Sequence, residues 1–164
     1  MAWTDGHISA VSGLPPDWDI ARTSASAFQR LEHLSEFYPG FCEWYHGKVI
    51  PGLLAQDRKI FLRLHGNKIL GVAIAKRGIE PKLCTLWVAD EARAIGVASC
   101  LAQEAFDWIG TNKPLFTVPE ERLSEFRGLL CRWEFQSAAE VAGYYRNEKV
   151  EYVFNGTLRP GVMS

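Results

Sequence analysis

Between residues 19 and 55 the apolar residues recur at helical spacing, and from residue 59 they gather into short runs of strand length. In IARTSASAFQRLEHLSEF, the residues Ile20, Phe28, Leu31 and Leu34 fall near a 3.6 period, and Tyr38-Pro39-Gly40 ends the pattern. That spacing predicts a first helix. A second is predicted from Phe41 to about Ala55, with a kink or break at Gly47 and Pro51-Gly52. Lys59 to Leu64 and Lys68 to Ala75 read as two antiparallel strands, joined through His65-Gly66-Asn67, whose Gly and Asn suit the positive φ of a tight hairpin. Leu83 to Val88 is apolar on both alternating faces, as a central strand covered by helices on both sides should be.

Gly96 to Ile109 returns to helical spacing, with Val97, Cys100, Leu101, Ala105 and Trp108 on one stripe and Gly110 as the closing cap. Pro114 to Val118 then reads as a strand, Glu120 to Trp133 as a helix, and Phe135 to Tyr145 and Val150 to Phe154 as strands. Ahead of all this, a short strand around His7 to Val11 is stopped by Pro15-Pro16. The order is neither a strict βα alternation nor all-β. It predicts an α/β (α+β) fold: a mixed, mostly antiparallel central sheet of six or seven strands flanked by about four helices.

Composition narrows the class. The 164 residues, 48% hydrophobic and 23% charged, make one domain spanning 1–164, with a core of about 19–156 and irregular ends at 1–18 and 157–164. Eighteen Lys and Arg against nineteen Asp and Glu give a net charge of -1, which offers no general attraction to phosphate backbones or acidic lipid. Nucleic acid and membrane are therefore disfavoured as partners. Cys42, Cys84, Cys100 and Cys131 are widely spaced, form no zinc-type cluster and read as reduced core residues. No basic-then-apolar leader or run of bilayer length is present, so a cytoplasmic, soluble location is expected.

The chemistry is concentrated in LWVADEARAIGVASCLAQEA, residues 86–105, where a buried strand meets an amphipathic helix. Gly96 and Ala98 carry little side chain, so a ligand can approach the backbone where the helix begins. The first N–H groups of that helix have no partners within it and share its positive dipole end. Such a turn suits a phosphate or pyrophosphate. A tight packing turn has the same residues, but the Rossmann and P-loop alternatives lack their motifs here.

Arg93-Ala94-Ile95-Gly96-Val97-Ala98 resembles motif A of the GNAT superfamily of N-acetyltransferases: Gln or Arg, two residues, Gly, one residue, then Gly or Ala. The element order over residues 19–156 is similar to the family's as well. The resemblance implies a splayed central strand pair, with acetyl-CoA as co-substrate and no metal. It implies that backbone N–H groups of Ile95 to Ser99 hold the pyrophosphate and that Arg93 shapes the loop. Main-chain groups of Leu86 and Val88, either side of Trp87, would bond the pantetheine arm like an extra strand. The cofactor residues are thus Leu86, Trp87, Val88, Arg93, Ala94, Ile95, Gly96, Val97, Ala98 and Ser99.

Acetyl transfer also needs a neutral amine, oxyanion stabilisation and a proton for the departing thiolate. Where the family often has a Tyr on the helix after its fifth strand, this chain has Leu130. Tyr144 and Tyr145, placed in the strand before the last, are the substitute general acids; Cys131 and Cys84 are weaker choices, Cys84 having no adjacent His or Asp. By the same resemblance the acceptor pocket maps to Tyr38, Phe41, Glu43, Trp44, Tyr45 and His46, an aromatic cluster with one carboxylate that suits a cationic amine. The acceptor would be a primary amine of a small molecule or a protein. An aminoacyl-tRNA acceptor, as in acetyltransferase toxins, and a non-catalytic acyl-CoA sensor are the alternatives. Pairing of the final strands between subunits would make a homodimer, by analogy alone.

Overall fold

The structure is a computed structural model and describes residues 11–159. Of the expected first strand, His7 to Ala10 lie outside the described residues; Val11–Ser12 form β1. The remaining elements are α1 (Ile20–Leu31), α2 (Phe41–Trp44), a π-helical turn (Tyr45–Val49), α3 (Ile50–Leu54), β2 (Arg58–His65), β3 (Lys68–Lys76), β4 (Lys82–Val88), α4 (Val97–Ile109), β5 (Phe116–Pro119), α5 (Leu123–Arg132), β6 (Ser137–Ala142) and β7 (Val150–Phe154). Short 3-10 turns follow α1 (Glu32–Glu36) and precede α5 (Glu120–Arg122).

The expected single sheet is in fact two. One has the order β1-β2-β3-β4 and the other β5-β7-β6, and every strand pair within them is antiparallel. Between the two sheets, Leu83 N–H donates to Leu115 O (3.0 Å) and Leu115 N–H to Pro81 O (2.9 Å), a lone parallel bridge at Lys82 and Leu115. Beyond it β4 and β5 separate. The seven strands are therefore divided by the splay that the resemblance implied.

Alternation along the strands explains the two covered faces. Ile60, Leu62, Leu64, Val72 and Ile74 pack with α1, α2 and the π-helical turn; Phe61, Leu70, Ala73, Ala75 and Leu86 pack with α4, α5 and the second sheet. The hairpin between β2 and β3 turns on Gly66 at φ +60°, whereas Asn67 is not in the left-handed region. The predicted break in the second helix appears instead as the π turn. Ile50 N–H reaches back to Tyr45 O, and Pro51, which has no N–H to place, follows in the first turn of α3.

Two sequence expectations need correction. Tyr144 and Tyr145 are not in a strand, because β6 ends at Ala142 and Gly143 takes φ +71°, turning the chain toward β7. The cysteines are free but not core: Cys42, Cys100 and Cys131 are exposed and Cys84 is half-buried. On α4 the inward stripe runs through Leu101, Ala102, Ala105 and Phe106, which leaves Cys100 outside it.

Candidate active site

The turn from β4 into α4 has the geometry of an anion cradle. Ala94 and Gly96 both take left-handed φ, +64° and +87°; for the alanine that conformation costs on the order of 1 kcal/mol and marks a turn held by its surroundings. The first bond within α4 is Cys100 N–H to Gly96 O (3.0 Å), and no side chain caps the helix. Val97, Ala98 and Ser99 therefore present N–H groups with no acceptor inside the helix. They open on a cavity of about 430 Å³ that is also lined by Leu86, Val88, Arg93, Ala94 and Gly96 from the predicted set. Ile95 is half-buried against the core instead, and Trp87 faces the other side of β4, where Arg30 lies over its ring at 4.9 Å and His33 meets its edge.

Sequence reasoning missed the opposite wall of this cavity, supplied by Arg122 from the 3-10 turn and by Glu125, Phe126, Gly128, Leu129 and Arg132 from α5. Arg132 donates to Ser99 Oγ at 2.9 Å, fixing a guanidinium beside the helix entrance. Arg122, at the helix start, reaches Glu125 at 3.4 Å, and Arg93 pairs with Asp90 at 3.0 Å and Glu125 at 3.6 Å. An added Cβ at Gly96 or Gly128 would meet nothing within 4 Å, so both glycines face open space. Free N–H groups, two flanking guanidinium groups and room above the glycines fit a pyrophosphate-bearing ligand.

The edge of β4 continues the site. Ala89 N–H is bound to Leu70 O at 2.8 Å on the β3 side, so by alternation the N–H groups of Leu86 and Val88 point into the splay. A second, smaller cavity lies in that splay and shares Leu86, Arg122 and Phe126 with the first. Its other walls include Tyr38, Phe41, Trp44, Lys82, Cys84, Thr117 and Tyr145. Tyr38, Phe41 and Trp44 thus reach the cavity as expected. Tyr45 does not: it is fully buried with its hydroxyl on Ser24 O (2.7 Å). Glu43 and His46 are exposed on the outer face of that helical segment and line none of the cavities described.

The two tyrosines after β6 separate clearly. Tyr144 donates to Arg159 O and so faces the C-terminal segment, whereas Tyr145 lines the splay cavity and packs edge-on against Tyr38 at 4.9 Å. Burial, and then the nearby Glu151 carboxylate, push the Tyr145 phenol well above its usual range, so it stays protonated. Glu151 was not anticipated. It is 4% exposed on β7, accepts a hydrogen bond from Tyr38 Oη (3.0 Å), and burial pushes its carboxyl up to about 7, against the pull of Thr117, Tyr38, Lys82 and Arg146. The turn carrying Tyr145 is fastened by a fork of two 2.8 Å bonds from Arg146 to Glu121, which is held down at about 2 by that guanidinium. At the family's usual Tyr position, Leu130 is buried in the core beside α4.

No protein-family model and no curated protein sequence matches the chain. Solved structures do. A protein from Desulfovibrio desulfuricans described as an acetyltransferase of the GNAT family superposes with a TM-score of 0.64 at 16% identity, over 88% of this chain and 97% of that one. NAA60 of Arabidopsis thaliana in complex with acetyl-CoA gives 0.61 at 15% identity, over 88% and 95%. An aminoglycoside 6'-N-acetyltransferase complexed with coenzyme A gives 0.58 at 10% identity, over 88% and 94%. The fold is that of the GNAT acetyltransferases. No helix among the described residues is long and apolar enough to cross a membrane.

Proposed function

We propose that the chain is an acetyl-CoA-dependent N-acetyltransferase, moving an acetyl group to a primary amine of a small molecule or a protein. The observation that carries this reading is the uncapped start of α4, opposite Arg122 and Arg132, opening along the free edge of β4 into a cavity that holds Tyr145. In this reading Gly96 to Ser99 and Arg132 bind the pyrophosphate, and Leu86 and Val88 align the pantetheine arm so that the thioester reaches the splay. Acetyl-CoA supplies the activated acyl group. Glu151, poised near 7, takes a proton from the acceptor ammonium by way of the Tyr38 hydroxyl. Tyr145, held protonated, donates a hydrogen bond to the charge that develops on sulfur or oxygen.

Calorimetry with acetyl-CoA tests the cradle, and thiol release across a panel of amines tests catalysis. Micromolar binding with amine-dependent thiol release is expected; no binding below about millimolar affinity would overturn the reading. Gly96→Glu, which places bulk and a negative charge at the helix entrance, should abolish binding while the circular dichroism spectrum stays that of the parent. One observation favours a second reading, a non-catalytic acyl-CoA binding domain: Leu130 is buried where the family often has a Tyr. Binding without thiol release on any amine would select it.

A further inference from the structure

A cavity of about 290 Å³ lies among the start of α1, the start of β2 and the end of α4, and shares no residue with the two cavities of the candidate active site. Its volume is near the lower end of small-molecule sites, which run from about 300 to 1,000 Å³. Two indole rings, Trp18 and Trp108, and three cations, Arg58, Lys59 and Arg77, are in its walls. Arg77 lies over the Trp108 ring at 4.6 Å and donates from Nε to Gln56 O at 3.1 Å, which fixes the guanidinium at the rim. Arg58 is only 7% exposed; it meets Cys84 Sγ at 3.4 Å and faces the Trp44 ring at 5.8 Å. None of the three cations has a carboxylate within ion-pair distance among the described residues. The lining does hold one carboxylate, Asp19, but it is engaged as the N-cap of α1, accepting from Arg22 N–H at 2.7 Å. A buried guanidinium without an anion is costly, and a bound anion relieves that cost.

Thr23 supplies an independent observation. It lines the same cavity, is 6% exposed, and its hydroxyl has no hydrogen-bond partner among the described residues. A Ser or Thr in a helix ordinarily satisfies its hydroxyl on a carbonyl of the preceding turn, as the neighbouring Ser24 does on Ala21 O at 3.1 Å. Thr23 leaves that bond unmade at a wall of the cavity. An orphaned buried hydroxyl beside unpaired guanidinium groups calls for an acceptor from outside the chain.

We propose that this cavity is a second binding site, for a small aromatic carboxylate. The ring lies against Trp18 and Trp108, and the carboxylate oxygens accept from Arg58, Arg77 and the Thr23 hydroxyl; two oxygens offer enough lone pairs for all three. The proposal does not depend on the acetyl-CoA reading.

The test is calorimetry on the intact protein with 2-naphthoate as the probe. A Kd of about 0.1 mM or tighter is expected. Two controls should each bind at least about tenfold more weakly: 2-naphthylmethanol, which keeps the rings without the charge, and acetate, which keeps the charge without the rings. Arg77→Gln, at an exposed position, should weaken naphthoate binding about tenfold. Thr23→Val keeps the shape of the side chain; it should weaken binding at least about threefold while raising the urea midpoint, because an unsatisfied buried hydroxyl is removed. Saturating acetyl-CoA should leave the naphthoate affinity unchanged. Failure to bind at millimolar naphthoate, equal binding of either control, parent affinity in Arg77→Gln or in Thr23→Val, or displacement by acetyl-CoA, which would put the probe in the cofactor cavity, would each overturn the inference and leave the proposed function untouched.

Discussion

At the scale of single residues, Glu151 has the most measurable consequence. A carboxyl with its pKa raised from 4.5 to about 7 by burial is easier to protonate in the folded state than in the unfolded one. Its contribution to stability is therefore complete below about pH 4.5 and is lost as the pH rises through 7, a swing of roughly 3 kcal/mol. Glu151→Gln should flatten that stretch of the stability profile, read as the urea midpoint between pH 4 and 8. Activity runs the opposite way. As a base Glu151 works when ionised, so kcat/KM should climb through pH 7 in the parent, and Glu151→Gln should remove that limb. Tyr145→Phe should lower kcat about a hundredfold, whereas Tyr144→Phe, whose hydroxyl donates to Arg159 O and whose side chain does not line the splay cavity, should leave kcat unchanged. A signal for Glu151 was present in VEYVF, where it shares the inward alternation with Val153. A carboxylate at an inward strand position is worth attention in any chain. Nothing comparable pointed to Arg122 or Arg132, because charged residues on a helix are usually solvated.

At the scale of elements, periodicity identified the β2–β3 hairpin, β4 and α4 to within a residue or two, since each has a local pattern and a glycine punctuating it. It misjudged the stretch after Ala142, where Tyr144 and Tyr145 look strand-like but Gly143 and the Arg146–Glu121 fork hold a turn. Tertiary ion pairs leave no local trace. The contact of α4 with β3 shows how an element positions the site. A Cβ on Gly71 would come within 2.8 Å of both Val97 Cγ1 and Leu101 Cδ1. Gly71→Val should push α4 off the sheet, cost about 1–3 kcal/mol in urea unfolding, and weaken acetyl-CoA binding, since Val97 belongs to the turn that forms the cradle. Parent-like affinity would mean that the start of α4 does not set binding.

At the scale of the whole molecule, the sequence pattern predicted the number of strands but not their division, because a splay is an absence of hydrogen bonds between neighbours that each look complete alone. Two sheets meet at one parallel bridge, and from Thr85 onward β4 and β5 share no backbone hydrogen bonds. A ligand lying along Leu86 and Val88, with its anionic end on α4 and Arg132, would join the two halves across this gap. Binding only the folded state, it should stabilise by about 2.7 kcal/mol at a hundred times its Kd, which for a chain of this length raises Tm by roughly 5 to 10 °C. Adenosine diphosphate, which carries the pyrophosphate without the pantetheine arm, reaches the cradle but not the splay. Hydrogen exchange therefore separates the parts of the site: acetyl-CoA should slow exchange at Leu86, Val88 and Val97 to Ser99, and adenosine diphosphate only at Val97 to Ser99. If both ligands protected the same amides, the free edge of β4 would have no part in binding, and the splay would need another occupant.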